Sequence, residues 1–341
     1  MNPLEFALRR LLFAIVVLLS VLTITFFLSH NLGINPIVAW LGKTASAHPQ
    51  LVKLYIAEYH LNDSLWVQYY YYLVGILHGN FGYSTSRGFV PVLTVISETL
   101  PLTLQLVFLG FVFTLGLGIL FGVLSARYNH TPADEGIRGF YLIGYGSPPF
   151  FVALILLVLF TLVFHIFPSG GAFSPTVQQP TPITGIPLLD SLLEGNWSAF
   201  LDGMEHAILP ALALALTTFG VVTRVLRTSI LDVMQTNYIR AARARGLSEN
   251  TIFYGHAFRN ALIPVVSLSS VVLTWLITGT VFVENVFSYP GIGQYLVNAL
   301  TSEDYPGIMA TAIVFAVVIV IGNLIVDILY AVVDPQIRLG E

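Results

Sequence analysis

Cysteine does not occur in the 341 residues, which excludes disulfides, zinc–thiolate sites, iron–sulfur clusters and thiol catalysis together. Charge is scarce. Asp, Glu, Lys and Arg make up 9% of the chain, against about 25% in a soluble globular domain. The 14 basic and 18 acidic residues leave a formal charge of −4, so the basic excess that would hold a polyanion is missing and no nucleic-acid partner is expected. The eight histidines include no pair at the H-x-x-x-H spacing of a metal site, so no metal is expected. What is abundant is apolar, 56% of the residues, and that composition belongs to an integral membrane protein.

Five stretches supply the roughly 18 largely apolar residues that a membrane-crossing helix needs: 11–28, 102–126, 140–167, 263–282 and 308–333. A sixth, Ala207 to Val222, reaches full length as 205–223 by taking Glu205, His206 and Thr223 at its interfaces. The expected fold class is an all-α integral membrane protein with six transmembrane helices. Pro148-Pro149 must break the hydrogen-bond ladder of the third. Basic residues near the ends of short loops stay in the cytoplasm. With the N-terminus inside, Arg9, Arg10, Arg127, Arg138, the six arginines from Arg224 to Arg259 and Arg338 are all cytoplasmic, while 168–204 and 285–306 hold no Lys or Arg. Both termini are then inside. The Arg9-Arg10 pair also suits a cleaved signal. However, the apolar core that follows is long and no A-x-A-like site ends it, so the reading is a retained anchor.

Residues 29–101 lie outside in this topology. Ser64 to Leu77, with Trp66 and Tyr69 to Tyr72, reads as an aromatic amphipathic helix that rests on the membrane surface or packs on the bundle. The outside loop 168–204, rich in Pro, Gly, Ser and Thr, is irregular but ordered against the rest. Gly110, Thr114, Gly118 and Gly122 recur every four residues, a face at which another helix can approach closely. Ser267, Ser270, Thr274 and Thr278 put hydroxyls on one face of the fifth span. A polar path and helix packing both fit that pattern. Asn323 and Asp327 sit one turn apart near the end of the last span, where an acid either functions or meets an interfacial arginine or water. Two motifs fail. Gly42-Lys43-Thr44 lacks a phosphate loop's first glycine, since Ile37 stands there, and Gly146-Ser147 is followed by Pro148 where an intramembrane serine protease needs a flexible turn.

The segment Thr223 to Asn260 is the outlier, because it holds six of the fourteen basic residues and is far longer than a turn requires. It reads as two helices divided at Gly246, the first basic along Tyr238 to Arg245 and the second opened by Ser248 and Glu249. Thr251 stands where a capping box would need Glu or Gln. A basic loop that only fixes topology is the plainer alternative.

Tyr238 to Pro264, YIRAARARGLSENTIFYGHAFRNALIP, resembles the cytoplasmic loop of ABC-importer permeases of the dipeptide/oligopeptide class. HGNFGYS at 78–84, HAILPALALAL at 206–216, VENVFSYPGIGQYL at 283–296, DYPGI at 304–308 and VDPQIR at 333–338 are similar to segments of the same family in the same order. The resemblance covers essentially the whole chain. Two departures are visible: Arg240-Ala241-Ala242 stands where the general loop has Glu-Ala-Ala, and the distance from Gly246 to Ile263-Pro264 is longer.

The resemblance implies a type I ABC importer permease fold, one permease domain over 1–341, with an extracellular insertion at 29–101 and a cytoplasmic coupling loop at 224–262. It implies a homologous second permease, two cytoplasmic ABC ATPase subunits, an extracellular substrate-binding protein and membrane lipid as partners. No cofactor is expected in this chain, since ATP and Mg would be bound by the ATPases, and the chain would be a transporter rather than an enzyme. The coupling residues would be Arg240, Ala241, Ala242, Gly246, Leu247, Ser248, Ile252 and Phe253. A rigid helix beyond the membrane suits a lever, with Leu247, Ile252 and Phe253 as apolar knobs for a partner groove and Arg243 and Arg245 facing acidic or lipid groups. Ser267, Ser270, Thr274 and Thr278 are the candidate substrate path. Similar permeases carry peptides, oligosaccharides, nickel complexes or glutathione. A secondary transporter, the rival class, would place acids at mid-membrane, whereas here they gather at helix ends and in loops.

Overall fold

The computed structural model describes residues 3–31, 49–58 and 60–333. Gly42-Lys43-Thr44 and Arg338 lie outside these, as do the side chains of Arg9, Arg10 and Asp327. The described residues are mostly helical, running α1 (Pro3–Asn31), α2 (Pro49–Glu58) and α3 (Leu65–Leu77) before a short hairpin of β1 (Tyr83–Ser84) and β2 (Val90–Pro91). Then follow α4 (Val92–Arg127), α5 (Pro132–Gly146), α6 (Pro149–Leu157, continued by a π turn over Val158–Val163), α7 (Pro187–Glu194) and α8 (Trp197–Met234). After these come α9 (Asn237–Ala244), a π turn (Thr251–Ala257), α10 (Phe258–Ala261), α11 (Ile263–Val286), α12 (Ile292–Thr301) and α13 (Tyr305–Val333).

Among the described residues α4, α8, α11 and α13 are long and apolar enough to cross a membrane. The pair α5 and α6 adds a fifth crossing if it is one broken span, and Leu12–Phe27 within α1 is a shorter apolar helix. The break falls at Ser147-Pro148, where the helix axis turns by 107°. Two consecutive prolines cannot donate to the preceding turn, so the ladder ends there.

The centre of the bundle is α8, whose Leu209, Ala211, Ala213, Leu214, Val222, Leu226 and Ile230 are buried. It outruns the span expected from hydropathy because Leu226 and Ile230 continue its apolar face beyond Arg224. Its closest neighbour is α4, along the small-residue stripe: Gly110 meets Leu214, Gly118 meets Val222, Gly122 meets Leu226, and Thr114 and Thr218 share a 2.8 Å hydrogen bond. A Cβ at Gly118 would stand 2.6 Å from the Cβ of Val222. Gly118→Leu is therefore expected to force the two helices apart, at a cost of about 1 to 3 kcal/mol. A fall in folded yield after detergent extraction, with membrane insertion unchanged, checks this.

Buried acids tie the ends of the helices. At one end Asp134, in the first turn of α5, accepts from Arg227 Nε (3.0 Å) and Nη2 (2.8 Å) of α8, from Ser125 Oγ of α4 and from the His130 backbone N–H. At the other end Glu284 closes α11 and accepts from Thr103 Oγ1 (2.6 Å) and from the Gly293 and Gln294 N–H groups at the start of α12. The carboxylate thus caps the next helix. Gly291 must be glycine, since a Cβ there would lie 2.3 Å from the Glu284 carboxylate. Asp304 likewise accepts from Ser84 Oγ, Ser86 Oγ and the Gly307 N–H, binding the hairpin to α13. Asp190 holds the loop before α7 through the Thr184 and Gly185 N–H groups. Burial works against its charge, yet these bonds leave its carboxyl below the usual carboxylate range. Helix α3 packs on α1 and α13, with Tyr72 against Phe26, Met309 and Ile313 and Tyr69 Oη 2.6 Å from Thr23 Oγ1.

Candidate functional site

The segment after α8 folds into two helical pieces around Gly246. Helix α9 ends at Ala244, and Gly246 follows with φ +82°. Its N–H donates to the Arg243 carbonyl (2.9 Å) and the Leu247 N–H to that of Ala242 (3.4 Å). This is the pair of bonds by which a left-handed residue closes a helix. Across the turn Arg243 grips Glu249 with two bonds, Nε to Oε1 at 2.8 Å and Nη2 to Oε2 at 3.2 Å. The Arg243 contact lowers the Glu249 carboxyl below its ordinary value. Arg243 is thereby engaged within the chain through Nε and Nη2. Ser248 Oγ accepts from the Thr251 N–H at 3.3 Å and starts the second piece.

The unit is anchored to the bundle. Ile239 and Ala242 of α9 and Ile252 of the π turn form a small core with Val233 and Met234 at the end of α8. Phe253 joins the main core, the Arg127 guanidinium lies 5.4 Å over its ring, and Arg127 Nη2 donates to Asn250 Oδ1 at 2.8 Å. The Asn260 amide donates to Tyr238 Oη at 2.9 Å. Both the end of α8 and the last residue of α4 therefore hold this unit.

This corrects one expectation. Ile252 (0% exposed) and Phe253 (4%) are not free knobs, because the chain's own core consumes them, whereas Leu247 is 40% exposed. Arg240, Ala241, Gly246 and Ser248 also face outward, and Ala242 is buried against the neighbouring piece. The outward face is thus Leu247 with a basic surround. Sequence reasoning missed Arg127 and its partner Asn250, since Arg127 lies more than a hundred residues before the loop and nothing local in the loop marks Asn250. The one available signal was an arginine ending an apolar span.

The hydroxyl face of α11 is open along part of its length: Ser267 and Thr278 are exposed and Ser270 and Thr274 half-buried. Their hydrogens stay within the helix, Thr274 Oγ1 donating to the Ser270 carbonyl (3.0 Å) and Thr278 Oγ1 to that of Thr274 (2.9 Å). None of the four bonds a neighbouring helix, so they do not act as interhelical glue within this chain. Asn323 of α13 is half-buried.

Residues 118–339 match the family described as binding-protein-dependent transport system inner membrane component, and 3–107 match its N-terminal membrane component. The chain belongs to this family. It is 34% identical over 337 residues to the dipeptide transport system permease protein of Escherichia coli strain K12, covering 98% of this chain and 99% of the relative. It is 35% identical over 333 residues to the oligopeptide transport system permease protein of Bacillus subtilis strain 168 (98% and 99%). It is 36% identical over 326 residues to the probable D,D-dipeptide transport system permease protein of E. coli K12 (96% and 95%). The binding-protein-dependent permease is thus a multi-pass membrane protein of a transport family, and its long apolar helices suit that setting.

Proposed function

We propose that this permease moves peptides inward across the cell membrane, driven by ATP that separate ATPase subunits bind with Mg and hydrolyse. A homologous second permease completes the path, and an external binding protein delivers the cargo. The chain crosses six times with both termini in the cytoplasm: α1, α4, the broken pair α5 and α6, α8, α11 and α13. In that orientation Arg127, Arg138 and the arginines from Arg224 to Arg259 are cytoplasmic, in keeping with the retention of basic residues inside. Relatives that carry dipeptides and oligopeptides align over nearly the full length, which favours peptides over oligosaccharides, nickel complexes or glutathione.

The observation that carries the mechanism is the anchored unit around Gly246. A push on Leu247 meets a closed turn that is clasped by Arg243 and Glu249 and fixed to α8 and α4. It moves those helices instead of dissipating in a soft loop. Among the described residues the acids stand at helix ends with no mid-membrane pair, which disfavours ion-gradient coupling.

Uptake in proteoliposomes is the test. Dipeptide accumulation is expected only with the second permease, the ATPases, the binding protein and ATP all present. Accumulation driven by an imposed ion gradient without ATPases would contradict the proposal. Topology has its own check, since the chain lacks cysteine. Ser174→Cys is expected to react with an impermeant reagent on intact cells and Ser248→Cys to be silent. The reverse pattern would invert the orientation.

A further inference from the structure

The break between α5 and α6 lies deep in the bilayer. Gly144 touches the α8 backbone at Leu216, where a Cβ would stand 2.3 Å from the Leu216 carbonyl oxygen. Leu216 is eleven residues from Arg227, the partner of Asp134 at the charged end of the bundle. At about 1.5 Å per residue that is about 16 Å, or half of a hydrocarbon layer of about 30 Å. Irregular backbone at such depth is tolerated only where protein buries it or a wet cavity adjoins it. Here Tyr145, Gly146 and Pro148 are exposed on this chain.

The backbone at the break is rich in acceptors. The Tyr145 carbonyl has no donor one turn on, because residue 149 is proline. The Ser147 hydroxyl spends its hydrogen on the Ile143 carbonyl at 2.7 Å. Across from it, Tyr145 and Trp275 of α11 bring their rings to 5.9 Å, each more than two-fifths exposed. Beside Trp275 stands Thr274, whose hydrogen is also spent within its helix. The lining therefore offers an open carbonyl oxygen and two aromatic faces, with the Ser147 and Thr274 hydroxyl hydrogens spent and the Tyr145 phenol and Trp275 indole N–H as its side-chain donors. The C-terminal end of α5 adds its partial negative charge, and ring faces attract cations.

We infer that Tyr145, Ser147, Thr274 and Trp275 form a mid-membrane station that accepts the protonated amino terminus of the passing peptide. This rests on the peptide-transport reading above, and it assigns the part of the cargo that is read.

Two measurements test it. In proteoliposomes with the complete transporter and saturating binding protein, uptake of trialanine is compared with that of N-acetyl-trialanine. Trp275→Leu is expected to slow trialanine about 3- to 30-fold and to leave the acetylated peptide nearly unchanged. Trp275→Phe is expected to keep most of the native rate, and ATP hydrolysis is still expected to respond to the loaded binding protein. An equal loss for both peptides, or no loss, would overturn the station while leaving peptide transport standing. Transport of neither peptide by the unaltered complex would overturn the peptide reading itself. Independently of uptake, Ser147→Cys in the assembled complex is expected to react about tenfold faster with a cationic than with an anionic methanethiosulfonate of similar size, after correction for their intrinsic rates. Equal rates would overturn the station.

Discussion

Gly246→Val is expected to disconnect ATP hydrolysis from transport. Nothing lies within 4 Å of where a Cβ at Gly246 would be, so the penalty is one of backbone alone. A β-branched residue resists φ +82° by about 1 to 2 kcal/mol, which shifts a two-state balance about 5- to 30-fold. Relaxing the turn breaks the bonds of the Gly246 and Leu247 N–H groups and opens the clasp of Arg243 on Glu249. Leu247 then points elsewhere, while Ile252 and Phe253 stay in the core and the chain still inserts and pairs. Stimulation of hydrolysis by the loaded binding protein is expected to fall by at least fivefold. Gly246→Asn, which tolerates the left-handed region, is expected to keep most of it. Full stimulation in the valine variant would mean that the turn carries no force.

Arg227→Leu is expected to be the most destabilising single change. Asp134 is fully buried, and the substitution removes the cation that meets it with two hydrogen bonds. Arg138, 3.7 Å away and 41% exposed, compensates only in part. Leaving a buried charge unpaired costs about 3 to 5 kcal/mol, which corresponds to a melting shift on the order of 10 °C. Removing both charges, with Asp134→Asn added to Arg227→Leu, is expected to recover most of the loss. Thermal unfolding of the three purified variants reads this directly. Equal melting temperatures would show that the pair is not a tie between α5 and α8.

Much of the fold was legible because bilayer-spanning helices leave long apolar runs. Gly118 and Gly122 marked a close helix approach by spacing alone, and Val222 and Leu226 occupy the room their missing side chains leave. The turn at Gly246 was legible because a glycine after a basic helical run has few other uses. What stayed hidden was long-range. Nothing local distinguishes Ile252 and Phe253, which are buried, from Leu247, which is exposed. That difference depends on where α8 ends and on Arg127, more than a hundred residues earlier. The 36 residues of α4 also exceed the expected span, because hydropathy reads the apolar middle of a helix and not its polar first turns. Nothing local marks Glu284 as a tie, because its partners Thr103 and Gln294 lie in other elements.

The proposed contact at Leu247 is the most direct point at which to test the mechanism. With no native cysteine in the chain, Leu247→Cys can be cross-linked to single cysteines placed along the groove of the ATPase subunit. A disulfide is expected to form at one groove position in the assembled transporter, to stop peptide uptake and stimulated hydrolysis together, and to release both on reduction. Failure to cross-link at any groove position, or transport at the native rate through the cross-linked complex, would contradict coupling through this loop.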